Sequence, residues 1–346
     1  MEYRKPKALK KGDAVAIVSQ SWGGPSIFPA VYENGLRVLR EWGLVVREFP
    51  SARADAAFLS AHPEFRAKDI NDAFSDPEIK AIFSSIGGDD SIRLLPYLDG
   101  DAIAANPKIF MGYSDATTIN VYGNLHGIVT MNGPSVIAGF SQMEGLPAGF
   151  REHVRSMLFE PADSYVYAPF DAYSDGYPDW RVPENLGKVK EPKRSDGWRV
   201  LQGSGSAEGE LFGGCIEVLE FLKGTDYWPE KDFWDGKLLF FETSEDKPPI
   251  DHVKWMLRNY GVQGVFGKVS GILFGRARDY SDEEKAGLDE MMRSVIGGEF
   301  GAPDLPIVSN MDFGHTDPQW VLPLGVRARI DLPSKEFTLV EPWLAA

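Results

Sequence analysis

Three segments of the chain each end an apolar run on a residue type suited to acyl-transfer chemistry. The run Lys108-Ile-Phe-Met-Gly-Tyr-Ser114-Asp-Ala116 stops at Gly112 and passes into helical spacing. A serine hydroxyl becomes a useful attacking group when a sharp strand-to-helix turn holds it out between small neighbours two residues to either side, and Gly112 and Ala116 are such neighbours. Ser114 or Asp115 could equally cap the helix that starts here, because Ser and Asp are preferred at helix starts, and this motif alone favours the cap. Lys237-Leu-Leu-Phe-Phe241 reads as a buried strand ending at Glu242, ahead of Pro248-Pro249. Pro306-Ile-Val-Ser309 reads as another, running into Asn-Met-Asp-Phe-Gly-His315-Thr-Asp-Pro.

Catalytic groups of α/β proteins gather beyond the carboxyl ends of strands, so a Ser, a Glu and a His placed there can meet in one crevice. The chain order Ser, Glu, His fits a triad. Hydroxyl attack on an amide needs a base near neutrality, and a histidine held by a carboxylate meets that need. The developing oxyanion needs fixed donors, each typically worth about 3 kcal/mol of barrier. Each residue has a plainer reading: Glu242 as a surface carboxylate beside Glu245 and Asp246, His315 as a loop histidine, Gly87-Gly88 as a tight turn capped by Asp89. His62, His126, His153 and His252 show no paired ligand spacing, so neither a metal nor another cofactor is expected.

The elements that must position these groups fall into three stretches. Residues 1–160 alternate strand and helix signals, which argues for a mostly parallel sheet with helices on both faces. The expected order is a strand over Asp13–Val18, a helix through Val31 and Leu39 to Gly43, a helix over Phe65–Phe74, a strand over Ile79–Ser84 and a helix through Ile92–Leu98. Residues 161–209 lose this rhythm and are rich in Tyr, Trp, Pro, Gly and Asp; loops this long in a compact protein tend to be lids or binding loops. Residues 210–346 read as a smaller α/β domain carrying Glu242 and His315, with a helix over Ile216–Leu222 and a C-terminal strand pair. Gly203–Gly209 reads as a linker turn, and Cys215 as a small core residue.

From Arg181 to Arg199 the central stretch has six basic residues against three acidic ones. A basic, aromatic loop on an acidic protein suits an anionic ligand bearing a flat ring, with Trp180 and Trp198 as its substrate contacts. For the individual lysines a solvated loop is the simpler reading. The whole chain of 346 residues carries a formal charge of −15, a field that repels phosphate backbones and anionic lipid surfaces, so no nucleic acid or membrane partner is expected. Its single cysteine forms no internal disulfide, and no signal-like or membrane-spanning apolar stretch appears, so a cytoplasmic protein is expected.

These motifs together resemble the LD-carboxypeptidase family of serine peptidases, most closely its microcin C immunity branch. The resemblance runs through Lys11-Gly12-Asp13, Ser85-Ile-Gly87-Gly88-Asp-Asp-Ser91 with Arg93-Leu-Leu-Pro-Tyr-Leu, Gly112-Tyr-Ser-Asp115, Gly213-Gly214, Phe241-Glu-Thr-Ser-Glu245 and Gly314-His315-Thr316, nearly the length of the chain. It implies a flavodoxin-like N-terminal domain and a smaller C-terminal α/β domain, with Ser114 as nucleophile, Glu242 as orienting carboxylate and His315 as general base. It also implies an oxyanion hole from the amides of Gly88 and Asp115, a substrate-side Gly87, Trp180 against an adenine ring, and a homodimer. The family often has Asn after the glycine pair, where this chain has Cys215. Three functions fit: hydrolysis of the amide between an aminoacyl group and a nucleotide, murein LD-carboxypeptidase action on tetrapeptides, or ligand binding without turnover.

Overall fold

The computed structural model describes residues 2–345. Its first sheet runs in the order Val45–Glu48, Ala14–Val18, Ile79–Ser84, Ile109–Gly112, Thr130–Asn132 and Leu322–Leu324. The first five strands are parallel, and their chain order is the flavodoxin-like 2-1-3-4-5. A parallel sheet covered by helices on both faces buries its strands on both sides, which is why Ala14–Val18 and Ile109–Gly112 are continuously buried apolar runs. Helices Pro29–Glu41 and Pro63–Ser75 each begin on proline, whose missing N–H is no loss in the first turn.

The sheet order reverses between Ala14–Val18 and Ile79–Ser84, so the loops leaving these strands diverge and open a crevice at the carboxyl edge. Gly87-Gly88 lies in one of those loops, and Ser114 follows the next strand along.

The second sheet has a parallel centre, Ser206–Cys215, Leu238–Glu242, Gly271–Gly275 and Ile307–Met311. Antiparallel strands flank it: Arg327–Asp331 and Glu336–Leu339 on one side, Arg199–Gln202 on the other. Glu242 ends one central strand and His315 follows another, so both reach the same edge. Two contacts seat this edge on the first unit. Leu322–Leu324 pairs with Thr130–Asn132, and the Cys215 amide donates to Thr117 Oγ1 at 3.1 Å, in the first turn of helix Thr117–Leu125.

Several elements differ from the reading of the sequence. Gly203–Gly209 is not a linker turn throughout: Gly203 and Gly205 make the turn, and Ser206 already opens a ten-residue strand. Cys215 is the buried core residue expected, closing that strand and standing at the N-cap of helix Ile216–Leu222. Ser91–Tyr97 is a 3₁₀ helix with Pro96 inside it, where an ordinary helix was expected. Helix Asp282–Met292 was not anticipated, although Ser281 and Glu284 form the reciprocal capping box that its sequence spells. No described helix is long and apolar enough to cross a membrane.

Candidate active site

Ser114 has φ of 59°, a left-handed backbone that a serine adopts only when its surroundings enforce it. The turn is enforced by close packing. A Cβ on Gly112 would lie 2.6 Å from Ser84 Cβ and 2.7 Å from Ala116 Cβ, and one on Gly87 would lie 2.8 Å from both Ser114 Cβ and Oγ. The turn feeds through Ser114–Ala116 into helix Thr117–Leu125, so the amides beyond Ser114 point from a helix N-terminus, where negative charge is favoured.

Neither Ser114 nor Asp115 caps this helix through its side chain. The Asp115 carboxylate instead accepts from the amides of Asp90 (3.0 Å) and Ser91 (2.8 Å), while the Ser91 hydroxyl donates to the Asp115 carbonyl at 2.7 Å. Burial pushes the Asp115 carboxyl above its ordinary range, against the pull of these donors and Ser21. The buried Arg66 extends the tie, donating to the Gln20 carbonyl at 3.0 Å and to Asp90 at 2.9 Å. Asp115 thus fastens the Gly87–Ser91 loop to the elbow, and Gly88 remains on the open side.

Glu242 is fully buried, not a surface carboxylate, and its Oε2 lies 2.5 Å from His315 Nδ1. His315 is itself 3% exposed, and its ring meets Tyr113, the neighbour of Ser114, edge-on with centroids 4.9 Å apart. Glu242 and His315 are therefore paired from two strand ends, and Tyr113 sets the Ser114 turn against their ring. His315 Nε2 faces Glu245 Oε2 at 2.9 Å, outside hydrogen-bond geometry. Burial opposes a charged imidazole, yet Glu242 and Glu245 together raise the His315 pKa to about 10. Burial raises Glu242 as well, with the His315 cation working against it, so the pair holds its proton tightly.

A cavity of about 320 Å³ adjoins the elbow, lined by Phe28, Ile86, Tyr113, Tyr177, Trp180 and, among its polar groups, Glu245 and Arg278. Trp180 stacks on Tyr177 at 5.2 Å and meets Phe28 edge-on at 5.3 Å, with its indole N–H left without a partner. Trp198 requires a correction: it is 5% exposed and is not part of this wall. Its indole donates to Asp312 at 3.1 Å, beside the buried pair of Asp312 with Arg276 at 2.6 Å, because the strand starting at Arg199 turns it into the core. The basic loop is also largely neutralised. Lys193 pairs with Asp175, Arg199 with Asp289, Lys190 with Asp279 and Arg181 with Asp179.

Sequence reasoning missed Glu245, Arg278 and Asp312. Glu245 and Asp312 lie three residues from Glu242 and His315, but charged residues abound in both loops and nothing local distinguishes them. Among the described residues no cluster of three or more His, Cys, Asp or Glu side chains is arranged to hold a metal ion.

A strained serine elbow, a histidine on a buried glutamate and a glycine loop fastened to the elbow define a serine hydrolase. Residues 15–133 match the LD-carboxypeptidase N-terminal domain and residues 208–330 its C-terminal domain. The chain is 31% identical to the microcin C7 self-immunity protein MccF of Escherichia coli, over 97% of this chain and 96% of that protein. It superimposes on an MccF-like protein from Streptococcus pneumoniae in complex with AMP with a TM-score of 0.85 at 29% identity, covering 95% of this chain and 98% of that one. Microcin C7 self-immunity protein MccF in complex with aspartyl sulfamoyl adenosine gives 0.85 at 28% identity, covering 99% and 100%. The chain belongs to the LD-carboxypeptidase family and is a serine peptidase of MccF-like fold.

Proposed function

We propose that the chain hydrolyses the amide joining an aminoacyl group to a nucleotide, through an acyl-enzyme on Ser114. The observation that carries the reading is the buried Glu242–His315 contact of 2.5 Å delivered beside the Ser114 elbow. In this mechanism Ser114 Oγ attacks the carbonyl carbon as His315 Nε2 takes its proton. Glu242 holds the Nδ1–H and stabilises the imidazolium. The amides of Gly88 and Asp115 receive the oxyanion, with Gly87 leaving room for the substrate. His315 then returns the proton to the leaving nitrogen, and water, activated by the same histidine, releases the acyl group.

The nucleotide side of the reading is supported by Trp180, Tyr177 and Phe28 on the cavity wall and by the ligands of the similar structures, AMP and aspartyl sulfamoyl adenosine. A murein LD-carboxypeptidase is the second reading. Arg278 favours it: this cation stands on the cavity wall, its Nε 3.4 Å from Asp279 Oδ2, and a guanidinium there suits the carboxylate of a terminal D-alanine. The homodimer and the cytoplasmic setting expected from the sequence belong to the same proposal. The experiment is a parallel assay of purified protein on aspartyl-sulfamoyl adenosine and a murein tetrapeptide. Faster cleavage of the first supports the proposal, faster cleavage of the second supports the alternative, and cleavage of neither overturns both.

A further inference from the structure

One carboxylate on the cavity wall has no part in the reaction just described. Glu245 lies in the loop between strand Leu238–Glu242 and helix Ile250–Val262, with its side chain 52% exposed and its Oε2 2.9 Å from His315 Nε2. That nitrogen is the one that must receive the Ser114 proton. It is shut off from solvent and has no hydrogen bond. The ring therefore sits between two carboxylates, Glu242 on Nδ1 and Glu245 on Nε2, with Tyr113 edge-on and Asp317 and Arg278 in its wider electrostatic surroundings. Burial opposes ionisation of Glu245, but His315 overrides it and holds its carboxyl at about 2. A histidine so placed is kept as the imidazolium, whose Nε2 has no lone pair to offer a serine.

We propose that Glu245 receives a primary ammonium on the acyl part of the substrate, and that this ammonium replaces the His315 imidazolium as the partner of Glu245 and so frees Nε2 to act as the base. The exchange balances. The substrate enters as R–NH₃⁺, the Nε2 proton leaves to solvent water, and Glu245 remains a carboxylate throughout. Position supports the acyl side: a cation paired with Glu245 lies next to Nε2, which in turn must face the Ser114 hydroxyl, so the ammonium sits within a few bonds of the scissile carbonyl. Half exposure lets Glu245 swing without disturbing a regular element. The favoured substrates are amides of amino acids with a free amine, and N-acylated or des-amino analogues start with the base still paired. The inference rests on the serine-peptidase reading.

The test uses full-length wild type, Glu245→Gln and Glu245→Ala, with aspartyl-sulfamoyl adenosine and its des-amino (succinyl) counterpart as probes. NMR titration of the His315 ring requires no turnover, and its midpoint is expected to fall by one pH unit or more in both variants. In a Ser114→Ala background, calorimetry is expected to give at least tenfold tighter binding of the free-amine probe, a preference that drops below threefold once Glu245 is replaced. At pH 6 the variants are expected to cleave the des-amino probe faster than wild type does. Equal binding of the two probes, or an unmoved His315 midpoint, overturns the proposal even where hydrolysis proceeds through Ser114. Failure of the serine-peptidase reading is distinct: wild type then turns over neither probe, while the amine preference and the histidine shift stay measurable.

Discussion

At the residue scale the site depends on one proton held between His315 and its carboxylates. The folded protein binds that proton more tightly than an unfolded chain, in which histidine titrates near 6.5. The pairing therefore contributes its full stability below about 6.5 and loses it as pH rises through about 10. Activity has the opposite sign, because the basic form of the imidazole appears only as the proton leaves. We expect kcat/KM to keep climbing above pH 7 toward the alkaline range, and a pH–rate profile that levels off at 6.5 would contradict this. Glu242→Gln should cut kcat on the order of 10⁴-fold, as a neutral amide fixes the wrong tautomer. His315→Ala should cost a similar or larger factor, since triad members act as a unit. Single-turnover rates check both.

At the element scale, geometry is set by how strand ends and glycine turns lock together. Asp115 is the clearest case, since both its side-chain bonds go to amides of a different loop. Asp115→Ala orphans the buried Ser91 amide, while the Asp90 amide keeps Ser21 Oγ at 3.3 Å, and should destabilise the fold by roughly 1–3 kcal/mol. Chemical denaturation measures that loss, and kcat should fall with it as the Gly88 loop loosens. The strands behind Ser114, Glu242 and His315 were legible in the sequence because buried parallel strands are continuous apolar runs with abrupt ends. Asp115 looked like a cap, because a carboxylate at a helix start is usually one and its true partners lie 24 and 25 residues away. Trp198 was misread for a similar reason: aromatic residues in a polar loop look like ligand contacts until the partner strand, Ile307–Met311, shows which face they occupy. Glu245 closes the Phe241–Glu245 motif, but its place beside the imidazole was not legible, since the histidine lies 70 residues further on.

At the scale of the whole molecule, the two sheets share one crevice, and the long central segment supplies its aromatic wall. Tyr177 and Trp180 come from that segment, Tyr113 and Ile86 from the first unit, Arg278 and Glu245 from the second. Trp180→Ala should weaken nucleotide-bearing substrates by about 1–3 kcal/mol, the usual range for stacking of a base on an aromatic side chain. Small acyl substrates lacking the base should be nearly unaffected, and equal losses in KM for both would mean that Trp180 closes the site generally. The net charge of −15 repels anions at long range, so the nucleotide capture proposed above rests on the local wall and not on steering.

The central claim is that Ser114 is the nucleophile and that His315 activates it. Its most direct measurement is labelling of intact protein by a serine-directed fluorophosphonate, read by mass spectrometry with the modified peptide mapped. We expect a single adduct on Ser114 in the wild type, none in Ser114→Ala, and labelling slowed by at least a hundredfold in His315→Ala. An adduct on another residue, or hydrolysis by Ser114→Ala at the wild-type rate, would contradict the account.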